Sequence, residues 1–268
     1  MIKSTFGLKD TPFCREKLTL LSQQKEAFKH IKIHSQHGGL SVIVGEPGVG
    51  KSVLKEHVEL LGNERENIVI SFSRTMHTYT NILRQLALSF KLDVKDSKLE
   101  QELIQVAYNH IKNHKTLYIL IDEAHLLDMS VLRKLRLLFD KFPRKHNLVL
   151  FGQIELMYYL SMSINEDLKS RITYSKHILC LNEDDLKQHI ISELESVRLG
   201  VNVFDEGAVE LIILSSQGNL RLCRNLCYAS LAACCLAQKR TVVIGHVNEI
   251  LIQPHWRTHD ELIKQQVA

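Results

Sequence analysis

The sequence predicts an α/β fold in which helices cover both faces of a parallel sheet and a small helical domain follows. Apolar runs bounded by turn residues alternate with amphipathic stretches of helical length, which is typical of such a sheet. A glycine-rich loop separates the first predicted strand from a predicted helix. After Leu181 the strand patterns stop and helical patterns continue. We therefore expect right-handed crossovers and a ligand site at the carboxyl ends of the strands.

The predicted strands are short apolar runs: Leu40–Gly45, Asn67–Phe72, Thr116–Ile121, Asn147–Phe151 and Ser175–Leu181. Helical patterns cover 22–36, 51–62, 78–92, 98–113 and 128–141, and then 183–198, 205–216, 219–237 and 244–252. Asn182 is typical of a helix start, while Gly200 and Gly218 are typical of helix ends. We predict an α/β domain with an N-terminal extension over 1–181, a helical lid domain over 182–255 and a polar tail over 256–268.

Composition restricts the class of protein without identifying it. A chain of 268 residues with 45% hydrophobic content can bury a large core, and a formal charge of +4 permits an anionic partner without requiring one. The sequence has no apolar stretch of membrane-spanning length and no signal-peptide pattern, so we expect a cytoplasmic protein without membrane insertion. The six cysteines form no C-x-x-C pair, which favours buried thiols over a metal site or disulfides.

A phosphate-binding loop is predicted at residues 45–52: Gly45, Glu46, Pro47, Gly48, Val49, Gly50, Lys51 and Ser52. Glycines let such a loop curl so that backbone N–H groups point at phosphate oxygens, and the following helix presents its positive end to them. Lys51 should reach the β- and γ-phosphates of ATP, and Ser52 should place its hydroxyl on Mg²⁺. Val53 completes the predicted ATP-binding segment.

Two carboxylates, Asp122 and Glu123, end the apolar run Leu117–Ile121. They should lie at the same edge of the sheet as the phosphate loop. Asp122 would then contribute to the Mg²⁺ site, and Glu123 would polarise the water that attacks the γ-phosphate. The alternative is that one of the acids only caps the next helix.

Together, the loop, the acid pair, the helical domain and Arg171 in the segment Leu168–Ile172 resemble the AAA+ ATPases. Within them the sequence resembles the ExeA (general secretion protein A) type family. The resemblance runs from about residue 6 to residue 252, and its motifs are Phe6-Gly7-Leu8-Lys9-Asp10-Thr11-Pro12-Phe13, Phe151-Gly152-Gln153-Ile154-Glu155-Leu156, Ser215-Ser216-Gln217-Gly218-Asn219-Leu220-Arg221 and Arg224-Asn225-Leu226-Cys227.

The resemblance implies three further site residues. Gln153 would sense the γ-phosphate, Arg171 would reach a neighbour's nucleotide, and Arg221 would act as the sensor of the helical domain. An arginine supplied in trans ties hydrolysis to assembly, so an isolated chain should hydrolyse ATP slowly. The alternatives are a strand-end polar residue, a surface arginine and a local charge cluster with Arg224. Leu220 departs from the family's proline, which leaves the helix geometry at Arg221 open.

Secretion members of this family continue into a membrane span and a cell-wall-binding region. Short relatives resemble the transposition ATPases of the TnsC, TniB, IstB and MuB class. The resemblance therefore implies an ATPase that oligomerises on double-stranded DNA as a ring or filament, independently of sequence, and recruits a transposase or a targeting protein. The alternatives are a secretion-type motor acting with a membrane partner, and a switch that hydrolyses ATP poorly, against which Glu123 argues.

Basic residues supply modest direct evidence for DNA binding. Arg133, Arg136 and Lys141 do not share one helix face, so their run is equally compatible with a solvated surface. Ser73, Arg74 and Thr75, after the second strand, are a further candidate. The full set of basic candidates is Lys91, Lys95, Lys98, Lys112, His114, Lys115, Arg133, Lys134, Arg136, Lys141, Arg144 and Lys145.

Overall fold

The computed structural model describes residues 1–14, 19–63, 65–72 and 78–256 of the chain. The chain divides into two compact units, Thr19–Leu179 and a second unit that joins Met1–Leu18 to Cys180–Ala268. We call them the sheet unit and the helical unit. The predicted division at residue 181 assigns the N-terminal extension to the α/β domain, whereas in the structure Met1–Leu18 belongs to the helical unit. The predicted domain limits therefore stay a prediction.

The sheet unit contains five parallel strands in the order β2-β3-β4-β1-β5. Every residue of β1, β3 and β4 is buried, because helices cover both faces, and this explains their continuous apolar sequences. The predicted fold class is confirmed. The strands are β1 Gly39–Gly45, β2 Asn67–Phe72, β3 Thr116–Ile121, β4 His146–Gly152 and β5 Tyr174–Ile178.

Each predicted helical pattern contains a helix, although most helices end two or three residues before the pattern does. Three short helices, the first, seventh and eighth, were not predicted, because they are too short or too uniformly apolar to show a clear helical period. The helices are α1 Ile2–Phe6, α2 Ser22–His34, α3 Lys51–Glu59, α4 Tyr79–Ser89, α5 Leu99–Lys112, α6 Met129–Phe139, α7 Ile154–Ser161, α8 Glu166–Lys169, α9 Glu183–Ser196, α10 Glu206–Ser216, α11 Leu220–Leu236 and α12 Ile244–Leu251.

The end of β5 differs from the prediction. The strand stops at Ile178, and the backbone N–H of Leu181 donates to the carbonyl oxygen of Gly218 at 2.9 Å instead of continuing the sheet. Gly218 lies in the left-handed region, with φ at 78°, and an added Cβ would come within 2.5 Å of the carbonyl oxygen of Leu181. A glycine is therefore required at this turn.

The helical unit starts as predicted, with the side chain of Asn182 accepting a hydrogen bond from the backbone N–H of Asp185 at 2.7 Å. Gly200 does not end α9, which is already complete at Ser196. Four cysteines of α11 are buried free thiols, which confirms the prediction for them: Cys223, Cys227, Cys234 and Cys235. Among the described residues, no cluster of side chains could hold a metal ion, and no helix is long and apolar enough to span a membrane.

A buried polar cluster lies inside the helical unit. Arg224 donates to the carbonyl oxygen of Phe13 at 3.0 Å, which joins α11 to the N-terminal segment. Burial, together with the charge of Arg224, lowers the pKa of His189 to about 4, and the Nε2 atom of that histidine has no hydrogen-bond partner among the described residues. Burial raises the pKa of the neighbouring Glu193, an effect that Arg224 partly offsets.

This cluster predicts a loss of stability at low pH. An unfolded histidine binds a proton near pH 6.5, whereas His189 in the folded protein stays neutral until about pH 4. The free energy of unfolding should therefore fall by about 3 kcal/mol between pH 6.5 and 4 through His189 alone. Glu193 acts in the opposite direction, because its raised pKa lets the folded state bind a proton first.

Urea denaturation at a series of pH values measures this effect. His189→Gln should flatten the stability curve between pH 6.5 and 4, whereas His255→Gln, at an exposed position of the same unit, should follow the wild type. Parallel curves for the wild type and the His189 variant would contradict the assignment.

Candidate nucleotide site

Three chain segments meet at one edge of the sheet. β4 lies between β1 and β3, with Val44 opposite Gly152 and Ile121 opposite Leu150. Because the strands are parallel, the phosphate loop after β1, the acid pair after β3 and Gln153 after β4 all leave from the carboxyl ends of adjacent strands. The sequence predicted this edge as the ligand site.

The phosphate loop depends on its glycines. Gly48 and Gly50 have φ values of 92° and 99°, in the left-handed region that favours glycine. A Cβ on Gly45 would lie 2.5 Å from the carbonyl oxygen of Ile178 and 2.9 Å from Cγ2 of Val49. The loop leads directly into the N-terminus of α3, which carries a partial positive charge. This loop and helix suit a phosphate group.

Two side chains hold the loop from within. The buried Lys51 donates from Nζ to the carbonyl oxygens of Gly45 at 2.6 Å and Glu46 at 2.8 Å. Gln24, on α2, is also buried, and its Nε2 lies 3.4 Å from the carbonyl oxygens of both Val49 and Gly50. Gln24 could not be predicted as a site residue, because nothing in a helix 25 residues upstream signals contact with the loop.

A lysine of α3, Lys55, contacts the acid pair. Asp122 accepts from Nζ of Lys55 at 3.0 Å and from the backbone N–H of Glu123 at 3.0 Å. Lys55 is buried and lies one helical turn after Lys51. Glu123 takes the left-handed conformation, with φ at 51°, and its side chain is half exposed. Lys55 was not among the predicted site residues, although its spacing of four residues from Lys51 is a signal that could have identified it.

His125 links the acid pair to Gln153. Its Nδ1 atom lies 3.5 Å from Oε2 of Glu123 and 3.4 Å from the backbone nitrogen of Gln153. The position of the ring protons decides which contact forms. An Nδ1 without a proton accepts from the backbone N–H of Gln153, whereas an Nδ1 that carries a proton donates to the carboxylate of Glu123. Sequence reasoning missed this residue as well, although it follows the acid pair by only two positions.

Arg171 lies at the opposite edge of the sheet. Two residues later, Thr173 donates from its backbone N–H to the carbonyl oxygen of Leu40, near the amino end of β1. The five residue steps along β1 from Leu40 to Gly45 span about 17 Å. The Arg171 side chain is 57% exposed and has Asp140 within 3.9 Å. It therefore lies too far away to serve its own phosphate loop.

Arg221 is an exposed residue at the start of α11, and its predicted role stays a prediction. The replacement of the family's proline by Leu220 leaves the helix intact, because Leu220 is the first helical residue and Asn219 caps the helix. A proline is favoured at that same first position, so the geometry is compatible with either residue. Ser73, Arg74 and Thr75 lie outside the described residues.

Several basic candidates for DNA contact already have partners within the sheet unit. Arg133 donates to Asn165 at 2.6 Å, and Arg136 donates to Asp140 at 3.2 Å. Lys134 lies over the ring of Tyr79. These contacts favour a structural role for the α6 residues. The lysines near α4 and α5 are the better candidates for an anionic partner: Lys91, Lys95, Lys98, Lys112 and Lys115.

Comparison with known proteins supports the fold. Residues 33–160 match a family model described as AAA domain. A search of curated proteins gave no match. The Aeropyrum pernix ORC2 protein in ADPNP-ADP complexes is similar, with 15% identity, a TM-score of 0.71 and coverage of 92% of this chain and 74% of that one.

Two further structures show the same likeness. Cdc6p from Pyrobaculum aerophilum has 16% identity and a TM-score of 0.68, over 97% of this chain and 73% of its own. Drosophila ORC bound to DNA has 18% identity and a TM-score of 0.65, over 97% of this chain and 66% of its own. At these identities the similarity shows only the fold, which is the P-loop AAA+ fold. It does not test the resemblance to the ExeA-type family or to the transposition ATPases.

The contact of Gly45 predicts that a single methyl group disrupts the loop. Gly45→Ala should lower the free energy of unfolding by about 1 to 3 kcal/mol and weaken ATP binding at least tenfold, because the strand end or the loop must move. Gly245→Ala is the matched control, since an added Cβ in α12 meets nothing within 4 Å. It should stabilise the helix by about 0.5 to 1 kcal/mol.

Urea denaturation and titration with a fluorescent ATP analogue test both variants. Nucleotide affinity of Gly45→Ala equal to that of the wild type would show that the loop tolerates the methyl group.

Proposed function

On the premise that the fold is that of the AAA+ ATPases, we propose that this chain binds and hydrolyses ATP and assembles with copies of itself on double-stranded DNA. In this proposal the assembly regulates transposition by recruiting a transposase or a targeting protein. The observation that carries the ATPase part is the meeting of the phosphate loop, the acid pair and Gln153 at one edge of the sheet.

The donor set suits ATP with Mg²⁺. Ser52 and Asp122 would hold the ion, which prefers oxygen ligands and would offset charge on the β- and γ-phosphates. Lys51 would bind phosphate oxygens, within the segment Gly45–Val53. Glu123 would orient the attacking water, and Gln153 would contact the γ-phosphate. The Nδ1 atom of His125 lies within 3.5 Å of both residues and would restrict their relative movement through whichever of the two contacts forms.

Assembly completes the site in this proposal. Arg171 lies at the opposite sheet edge from the loop of its own chain, so its guanidinium could stabilise transferring phosphate only in a neighbour. Asp140 lies within 3.9 Å of Arg171 and also accepts from Arg136, which would hold the arginine in place before a neighbour arrives.

The DNA part is supported by relatives and by charge. Two structures of similar fold, Drosophila ORC and the Aeropyrum pernix ORC1 protein, were solved with DNA. A net charge of +4 suits a polyanion, and a few lysine contacts per subunit would sum over an assembly into tight, salt-sensitive binding. The transposition role follows from the motif resemblance alone.

Light scattering and negative-stain imaging test the proposal, with and without a non-hydrolysable ATP analogue and double-stranded DNA, at low and moderate salt. We expect rings or filaments only when nucleotide and DNA are both present. Lys51→Ala should abolish assembly, and Glu123→Gln should bind ATP, assemble and hydrolyse slowly. Assembly that needs nucleotide but ignores DNA would instead favour a secretion-type motor, and normal hydrolysis by Glu123→Gln would remove the proposed role of that residue.

A mixing experiment tests Arg171. Arg171→Ala and Glu123→Gln should each hydrolyse ATP only slowly alone, because one lacks the arginine and the other the carboxylate. In an equal mixture, about a quarter of the interfaces would join an intact Glu123 to a neighbour's intact Arg171, so ATPase activity should return to about that fraction of the wild type. Lys169→Ala, which removes another exposed cation nearby, should keep full activity. An inactive mixture of assembled subunits would contradict action in trans.

A further inference from the structure

An open groove of about 810 Å³ lies in the helical unit and is lined by α9, α10 and the segment between them. It shares no residue with the candidate nucleotide site. We propose that this groove docks a basic amphipathic helix of a partner protein.

The interior of the groove is apolar. Its floor consists of buried side chains, among them Ile190, Leu194 and Ile213. Its walls include Val201 and Leu214, which are 45% and 64% exposed. Single exposed apolar residues are ordinary, but large apolar side chains grouped in a concave surface are typical of an interaction site. Covering them removes apolar surface from water, which favours a partner with apolar side chains of its own.

The rim carries a charge opposite to that of the whole chain. Five acidic residues and one lysine line the groove, a formal sum of −4, whereas the chain as a whole is +4. Among the residues that the structure describes, none of these acids forms an ion pair. The acidic residues are Glu183, Asp184, Asp205, Glu206 and Glu210.

Helix termini account for only part of this charge. Acidic residues are favoured in the first turn of a helix, which explains Glu183, Asp184 and Glu206. Glu210 lies in the second turn of α10, where this effect has faded. The partner should therefore carry lysine or arginine beside its apolar side chains, since complementary charges favour encounter and suppress wrong partners.

The dimensions suit a helix. The lining residues run from Glu183 to Leu194 along α9, about 17 Å, and from Glu206 to Leu214 along α10, about 12 Å. An amphipathic helix that inserts apolar residues at positions i, i+4 and i+7 needs about 10 Å of groove. The acidic rim disfavours nucleic acid and anionic membrane surfaces. The groove is therefore suited to a protein partner, and it shares no residue with the proposed DNA contact.

Fluorescence anisotropy with the full chain tests the proposal. The probe is a labelled helical peptide with leucine at positions i, i+4 and i+7 and lysine at flanking positions, and its control carries glutamate in place of every lysine. We expect the lysine peptide to bind at least tenfold more tightly than the glutamate peptide. The double variant Glu206→Lys, Glu210→Lys brings the formal charge of the lining from −4 to 0 and should therefore abolish this preference.

Apolar contact is tested with a matched pair of exposed leucines. Leu214→Asn should weaken binding of the lysine peptide at least tenfold, whereas Leu236→Asn, on α11 outside the groove, should leave it unchanged. Both positions are exposed, so both variants should fold. Lys51→Ala should bind the peptide normally, which separates this proposal from the ATPase proposal.

Four results would overturn the proposal. The two peptides could bind the wild type equally, or the Glu206→Lys, Glu210→Lys chain could keep the original preference. Removal of residues 257–268 could tighten peptide binding tenfold, which would identify the chain's own end as the occupant. Finally, self-association of the chain that Leu214→Asn abolishes and Leu236→Asn preserves would identify a second copy as the occupant.

Discussion

The tight packing at the end of β1 is the constraint on which the candidate site depends. Gly45 is the last residue of β1, and β5 leaves no room there for a side chain, because the carbonyl oxygen of Ile178 lies where a Cβ would be placed. The next residues can therefore curl at once into a loop and lead into α3. β4 and β3 follow β1 on one side of the sheet and run parallel to it, so their carboxyl ends lie at the same edge. The sheet therefore sets the relative positions of groups that are far apart in sequence.

Electrostatics at this edge depends on lysines from a single helix. Lys51 contacts the loop carbonyls, and Lys55, one turn later, contacts Asp122. Both lysines are buried, and a buried charge is retained at low cost only when it is well paired. The spacing of the two residues on α3 therefore connects the phosphate loop to the acid pair.

Much of this arrangement could be predicted from sequence, and the rest could not for identifiable reasons. The apolar runs of β1, β3 and β4 are buried on both faces, so their sequences predict both their type and nearly their limits. The glycine and lysine spacing of residues 45–52 predicts the loop because its local geometry needs those residue types. Gln24, in contrast, contacts a segment 25 residues away, and no local pattern encodes such a contact. The same holds for the contact of His125 with the backbone of Gln153, 28 residues away. The acidic groove was missed because its charges and its apolar floor come from two different helices.

The separation of Arg171 from the phosphate loop across the sheet has a consequence for any assembly built on it. In the proposed assembly each subunit would offer two unlike faces, so contacts would be head-to-tail, and subunits would either close into a ring or extend indefinitely. In a linear assembly, the subunit at one end would have an Arg171 that contacts no neighbouring nucleotide. The subunit at the other end would have a nucleotide that no neighbouring Arg171 contacts. Such a polymer has a direction, its two tips differ chemically, and subunits at one tip would keep their ATP longer than those inside.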